Sequence, residues 1–204
     1  MSAGGGLREV SRRAVQSRIA RAAEELFVAK GFEETTVDEI AAAVGMSQRS
    51  FFRYFASKDE VVLDRLERLG EELSARLEAR PPREPEWDSL RHSFDPIVER
   101  LSDPVVREHD RALQRIVHAS PRLLAAYLGR LDRLQGSLSD LLLDRAARHP
   151  GGETDPVVLR ALVGGAFACL QAAMQHCGVE PEVFEPCLDR TMAAMRPVTA
   201  SAAW

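Results

Sequence analysis

Residues 36–55 read Thr36-Val-Asp-Glu-Ile-Ala-Ala-Ala-Val-Gly45-Met-Ser-Gln-Arg-Ser-Phe-Phe-Arg-Tyr-Phe55, and this stretch decides the fold. It has the marks of two short helices joined by a tight turn. Thr36 stands where it can cap the first helix. Glu39, three residues on, can reach back to it, the reciprocal pairing of a capping box. Ile40, Ala41 and Val44 share one helical face. Gly45 ends that helix where the chain must reverse, and glycine enters a left-handed backbone without steric penalty. Ser47 is the next cap, and the second helix is expected over Ser47–Tyr54 with Phe51 and Tyr54 on its buried side. The small residue Ala41 falls where two crossing helices come closest. Together these positions meet the packing requirement of a helix-turn-helix, whose second helix can enter a major groove. An ordinary helical hairpin shares the tight turn but not the whole pattern.

Charge supports the same division of labour. The chain has 204 residues and a net charge of −4, against a general nucleic-acid coat protein. Residues 1–58 carry a net +2 and residues 59–204 a net −6. Arg8, Arg12, Arg13, Arg18 and Arg21, then Arg49, Arg53 and Lys58, make the amino-terminal part locally basic, while the remainder would be repelled by DNA. A set of solvated helix faces would show the same charges; the adjoining helix-turn-helix favours the DNA reading.

Three groups of residues, Gly45-Met46-Ser47, Ser50-Phe51-Phe52-Arg53-Tyr54-Phe55 and Ser57-Lys58-Asp59-Glu60, resemble the TetR family of one-component transcriptional regulators. The likeness covers about the first 65 residues. It implies an all-α protein: a three-helix helix-turn-helix DNA-binding domain (1–56, with 1–10 a flexible arm), then a larger helical ligand-binding and dimerisation domain (57–204). It further implies a homodimeric, cytoplasmic repressor on a palindromic double-stranded operator, released by a small effector that is hydrophobic or acyl-like. The family's usual tyrosine is replaced by Phe52, which has no hydroxyl to offer a phosphate.

The expected DNA contacts are Thr36, Ser47, Gln48, Arg49, Ser50, Phe52, Arg53, Lys58 and, from the first helix, Arg12. Gln48 suits an adenine edge, Arg49 a guanine edge and Phe52 a thymine methyl. Thr36 and Ser47 sit at helix starts, where amides favour phosphate, and Lys58 is a candidate phosphate contact.

The first helix is expected from near Ser11 to Lys30, stopped by Gly31, with Phe32 folding back on Phe27. A fourth helix opens at Ser57 and runs to about Ala79, the natural lever between the domains. Beyond the Pro81-Pro82 break, one helix should run from Asp88 or Ser89 to Leu101. Others should begin at Asp103-Pro104, Ser120-Pro121 and Asp155-Pro156, and a last one should span Glu182 to Met195 with Pro186 in its first turn. His149–Gly152 reads as a loop and the residues after Arg196 as a frayed tail. The run Val157 to Met174 is apolar on nearly every side yet contains Arg160 and Gln171. It reads as a buried helix, too short and interrupted to span a membrane. Covering it calls for a second copy of the chain or, alternatively, a fully buried place in the monomer core. Leu162, Gly164, Gly165, Ala166 and Met192 are the expected dimer contacts. The resemblance places an effector pocket among the middle helices, for which Phe94, His118, Tyr127, Phe167, Gln171 and Met174 are candidates. Three cysteines without paired spacing suggest free thiols in a reducing compartment. No nucleophile motif, phosphate loop or metal-spaced His/Cys group occurs, so neither an enzyme nor a metal or cofactor is expected.

Overall fold

The structure is a computed structural model describing residues 3–148 and 155–197, with side chains described from Val10 onward. The expected loop at 149–152, most of the expected tail and the Arg8 side chain lie outside the described residues. Among those described there are ten α-helices and no strand: α1 Ala3–Lys30, α2 Val37–Ala43, α3 Gln48–Phe51, α4 Lys58–Glu78, α5 Glu86–Ser93, α6 Asp95–Leu101, α7 Pro104–Ala119, α8 Pro121–Ala147, α9 Pro156–Ala172 and α10 Pro181–Ala194. The chain divides into two compact units, Met1–Glu67 with Glu108–Leu128, and Arg68–Arg107 with Gly129–Trp204.

In the first unit, one apolar cluster joins the helix-turn-helix to its support. Ile19, Ala23 and Phe27 of α1, Ile40 of α2, Phe51 of α3 and Val61 of α4 are almost wholly buried, with Leu113, Val117 and Leu123 completing the cluster. Phe32 packs edge-on against Phe27 with centroids 5.0 Å apart, and Gly31 takes a φ of +95° that stops α1. Helix α1 starts at Ala3, eight residues before the expected Ser11. It runs through Gly4, Gly5 and Gly6, residues of low helix propensity that the sequence alone places in an arm. Ser57 accepts the Glu60 amide at 3.2 Å, which starts α4 as expected.

The second unit is organised by Trp87 of α5. Its indole Nε1 donates to the Met192 carbonyl of α10 at 2.9 Å, and a Cβ on Gly165 of α9 would stand 3.6 Å from its ring. Phe94 meets Phe167 edge-on at 5.3 Å. Gly70 lets α4 approach α8, since a Cβ there would lie 3.0 Å from Leu134 Cδ1. The Arg145 guanidinium closes the end of α4 by donating to the carbonyls of Leu77 (2.8 Å) and Pro81 (2.9 Å).

Several expectations are corrected. The helix expected up to Leu101 is two, α5 and α6, broken at Phe94; Pro96 has no N–H for a continuous ladder. Ser89 does not cap it but is buried, donating to Glu84 at 2.8 Å. Pro186 lies inside α10, because Pro181 takes the first helical position. Cys177 and Cys187 form a disulfide rather than remaining free. Gly178 (φ +82°) reverses the chain between them, so a separation of ten residues brings the sulfurs together. Helix α9 continues through a π turn, Ala173–Cys177. Pro156–Cys177 is therefore 22 residues, long and apolar enough by composition to cross a membrane. Within its unit, however, Leu159, Val163, Ala166, Phe167 and Leu170 are buried, and Arg160 bonds Gln135 at 2.8 Å.

Candidate nucleic-acid interface

The helix-turn-helix is fixed by local chemistry. The Thr36 hydroxyl accepts the Glu39 amide (3.3 Å), while a Glu39 carboxylate oxygen accepts from both the Thr36 amide and its hydroxyl at 2.8 Å. Lys30 pairs with the other Glu39 oxygen. The Lys30 hydrogen bond, then those from Thr36, lower the Glu39 carboxyl pKa to about 2. At the other end of α2, Met46 N–H donates to the Ala41 carbonyl (2.9 Å) and Gly45 N–H to that of Ala42 (3.0 Å), the bond pair of a Schellman turn. Gly45 adopts a φ of +73° to make it.

Helix α3 is shorter than expected. Ser47 caps it by accepting the Ser50 amide at 3.2 Å, but α-helix covers Gln48–Phe51 alone. From there Arg53 N–H turns to the Ser50 carbonyl and Tyr54 N–H to that of Phe51, tightening the last turn to a three-residue step. Phe51 is fully buried, while Phe52 beside it is 50% exposed, so one aromatic anchors the helix and the next faces out. Ser47, Gln48, Arg49, Phe52 and Arg53 are all exposed, and Ser50 is half-buried. Arg12 is exposed on α1.

Three side chains fasten this unit from a distance. Arg18 of α1 donates to the Val44 carbonyl at the end of α2 (2.8 Å). Gln16 reaches the Tyr54 carbonyl at 3.4 Å. Lys58 donates to the carbonyls of Phe32 (2.8 Å), Glu33 (3.1 Å) and Thr35 (3.3 Å). Thr36 and Lys58 thus have their donors engaged within the protein. Sequence reasoning missed Gln16 and Arg18 as fasteners, because nothing in their local pattern sets them apart from the other polar groups of α1.

The remaining candidates are dispersed. Phe94 and Phe167 are buried together in the second unit, where Met174 is half-buried and Gln171 exposed. His118 and Tyr127 belong to the first unit. His118 is exposed on α7, its Nδ1 2.8 Å from the Gln114 carbonyl, beside a shallow groove shared with Glu108, Arg111 and Arg115. Tyr127 has its hydroxyl pKa raised by burial, opposed by the charge of Arg65. Ala166 and Met192 are buried within the second unit, Leu162, Gly164 and Gly165 half-buried, and Gly165 faces Trp87 of the same chain.

This geometry, a capped two-helix turn with an outward polar face, has close relatives. Residues 19–64 match the family described as bacterial regulatory proteins, tetR family. The HTH-type transcriptional regulator TcmR of Streptomyces glaucescens is 38% identical over 146 residues, 70% of this chain and 65% of TcmR, so the match spans just under two thirds of that relative. SmeT, the repressor of the Stenotrophomonas maltophilia multidrug efflux pump SmeDEF, has a similar fold in its triclosan complex. The TM-score is 0.60, the identity 23%, and 89% and 91% of the two chains are covered. Thermus thermophilus FadR with lauroyl-CoA is similar at a TM-score of 0.55 and 24% identity, over 93% and 99% of the chains. Residues 19–64 are therefore those of a TetR-family amino-terminal domain, and the relatives matched beyond them carry the names of transcriptional regulators.

Proposed function

We propose that the protein is a ligand-responsive repressor that binds a palindromic DNA operator as a homodimer and is released by a small hydrophobic effector. The observation that carries this reading is the exposed face of Gln48, Arg49, Phe52 and Arg53 on a helix anchored by Phe51. Arg49 and Gln48 present bidentate groups for guanine and adenine edges, and Phe52 an apolar face for a thymine methyl. Ser47 and Arg53 flank them for phosphate. A chromosomal target makes the cytoplasm the site of action.

Pairing is supported by a bare apolar stripe on the second unit. Val157 is 74% exposed and Val158 50%, Ala161 and Ala168 follow on the same helix, and Val183 of α10 is 50% exposed. A helix this apolar that leaves one side uncovered is suited to a symmetric partner. Half-buried Leu162 and Gly164 border that stripe, whereas Ala166, Met192 and Gly165 support it from within. A two-fold pair would set two reading helices about 34–36 Å apart, one DNA turn. Effector recognition is supported by the names of SmeT bound to triclosan and FadR bound to lauroyl-CoA. Phe94, Phe167 and Met174 would supply the apolar contacts. The test is sedimentation of the protein with and without Val157→Glu, followed by footprinting on duplexes selected from a random pool. A dimer protecting one palindromic site, and a variant reduced to monomer with weaker protection, is the expected result. Uniform coating of DNA by a monomer would overturn the reading.

A further inference from the structure

The sequence holds just two lysines, Lys30 and Lys58, among 27 basic residues. Both are engaged inside the helix-turn-helix unit. Lys30 pairs with Glu39 across the α1–α2 loop. Lys58 is the first residue of α4, where a cation opposes the helix dipole. Its placement is explained by what surrounds the ammonium: the carbonyls of Phe32, Glu33 and Thr35, the Glu33 carboxylate at 3.7 Å and the Phe32 ring at 4.4 Å from its centroid. An ammonium has three protons, and three carbonyls receive them. The loop is closed from inside as well, by the Thr35 hydroxyl donating to the Gly31 carbonyl at 2.7 Å.

We infer that Lys58 is a positioning residue, which locks the 31–36 loop to the first turn of α4 and so fixes the angle at which α2 and α3 are presented. It is not a phosphate contact. Phosphate neutralisation therefore falls to arginines, among which Arg53 and Arg12 are exposed. This inference rests on the reading that α3 meets DNA, but its geometric half does not.

The test has two arms. In the first, the intact protein is acetylated with an amine-reactive ester and Lys58 modification is followed by peptide mass spectrometry, with urea-unfolded chain as reference. Lys58 should react at least about tenfold more slowly in the folded, DNA-free protein, since modification requires local opening, and added duplex DNA should not change its rate. Reaction at the unfolded rate, followed by protection when DNA is added, would overturn the inference. In the second arm, Lys58→Met and Arg53→Ala are compared for binding to a pool-selected duplex and to a scrambled one across salt concentrations. Losing a phosphate contact flattens the slope of log affinity against log salt by about 0.9 per protomer. Lys58→Met should keep the wild-type slope yet lower the selected-to-scrambled affinity ratio by about tenfold. A partly unfolded variant would lose both affinities alike and leave the ratio intact, so an unchanged ratio or a flattened slope refutes the positioning role. If Arg49→Ala in parallel leaves the ratio untouched, it is the DNA reading of α3 that fails, and the acetylation result stands by itself.

Discussion

Replacing Gly45 with alanine isolates the conformation of the turn from its packing. An alanine Cβ at this position would have no atom within 4 Å, so no clash opposes it. The backbone φ of +73° does oppose it. An L-residue held in the left-handed region loses about 1–2 kcal/mol, and the stiffer unfolded chain returns about 0.4–1 kcal/mol. The net expectation is destabilisation by about 1 kcal/mol, a melting midpoint lower by about 2–4 °C for a chain of this size. Gly136 is the matched control. It too has nothing within 4 Å of a built Cβ, but it lies inside α8 without a positive φ. Alanine there should stabilise by about 0.8–1 kcal/mol. Thermal melts by far-UV circular dichroism should place the two variants on opposite sides of wild type. A Gly45→Ala protein as stable as wild type, or two variants shifted the same way, would refute the left-handed turn.

Acid should weaken the protein through Glu39 and Glu84, whose carboxyls Lys30 and Arg80, respectively, hold at about 2, below the ordinary 4.5. A lowered folded-state pKa gives stability that is complete above about 4.5 and lost as pH falls towards 2. Melting midpoints between pH 5 and pH 2 should therefore fall, less steeply in Glu84→Gln, and a rise on acidification would contradict both pairings. Reducing the Cys177–Cys187 disulfide should cost about 2–3 kcal/mol for a ten-residue loop, measured by urea unfolding with and without a reductant; a Cys177→Ser/Cys187→Ser protein should no longer respond to reductant. Trp87→Phe removes the donor to the Met192 carbonyl and should cost about 1–3 kcal/mol by the same measurement.

The helix-turn-helix was legible because its determinants are local. Thr36 and Glu39 are three residues apart, Gly45 must take a positive φ wherever the chain turns so sharply, and Ile40, Ala41 and Phe51 follow the helical period. What escaped was set either by competition between donors or by distance along the chain. The position of Lys58 marks it as the opening of α4, but only the folded loop, 23 to 26 residues upstream, reveals that its protons are taken. Arg18 likewise finds the Val44 carbonyl 26 residues away. Helix α3 looked eight residues long because Phe52, Arg53 and Tyr54 have helical spacing, yet the amides of Arg53 and Tyr54 bond three residues back instead of four. The break between α5 and α6 follows from Pro96, a local signal passed over because Phe94 and Ile97 keep the apolar spacing across it. The cysteine pair was hidden by a chain reversal at Gly178 that no spacing rule encodes. Of the candidate effector residues, Phe94 and Phe167 could be recognised as apolar, but not as partners, since they are brought together from α5–α6 and α9.

The central claim is that the outward side of α3 reads base edges, and Arg49 tests it most directly. Duplexes enriched from a random pool by wild type and by Arg49→Ala should share a palindromic frame, with the variant losing its preference at one symmetric pair of positions and binding the wild-type site about 1–3 kcal/mol more weakly. Identical enriched sequences from both proteins, with affinity lowered equally on every duplex, would contradict it.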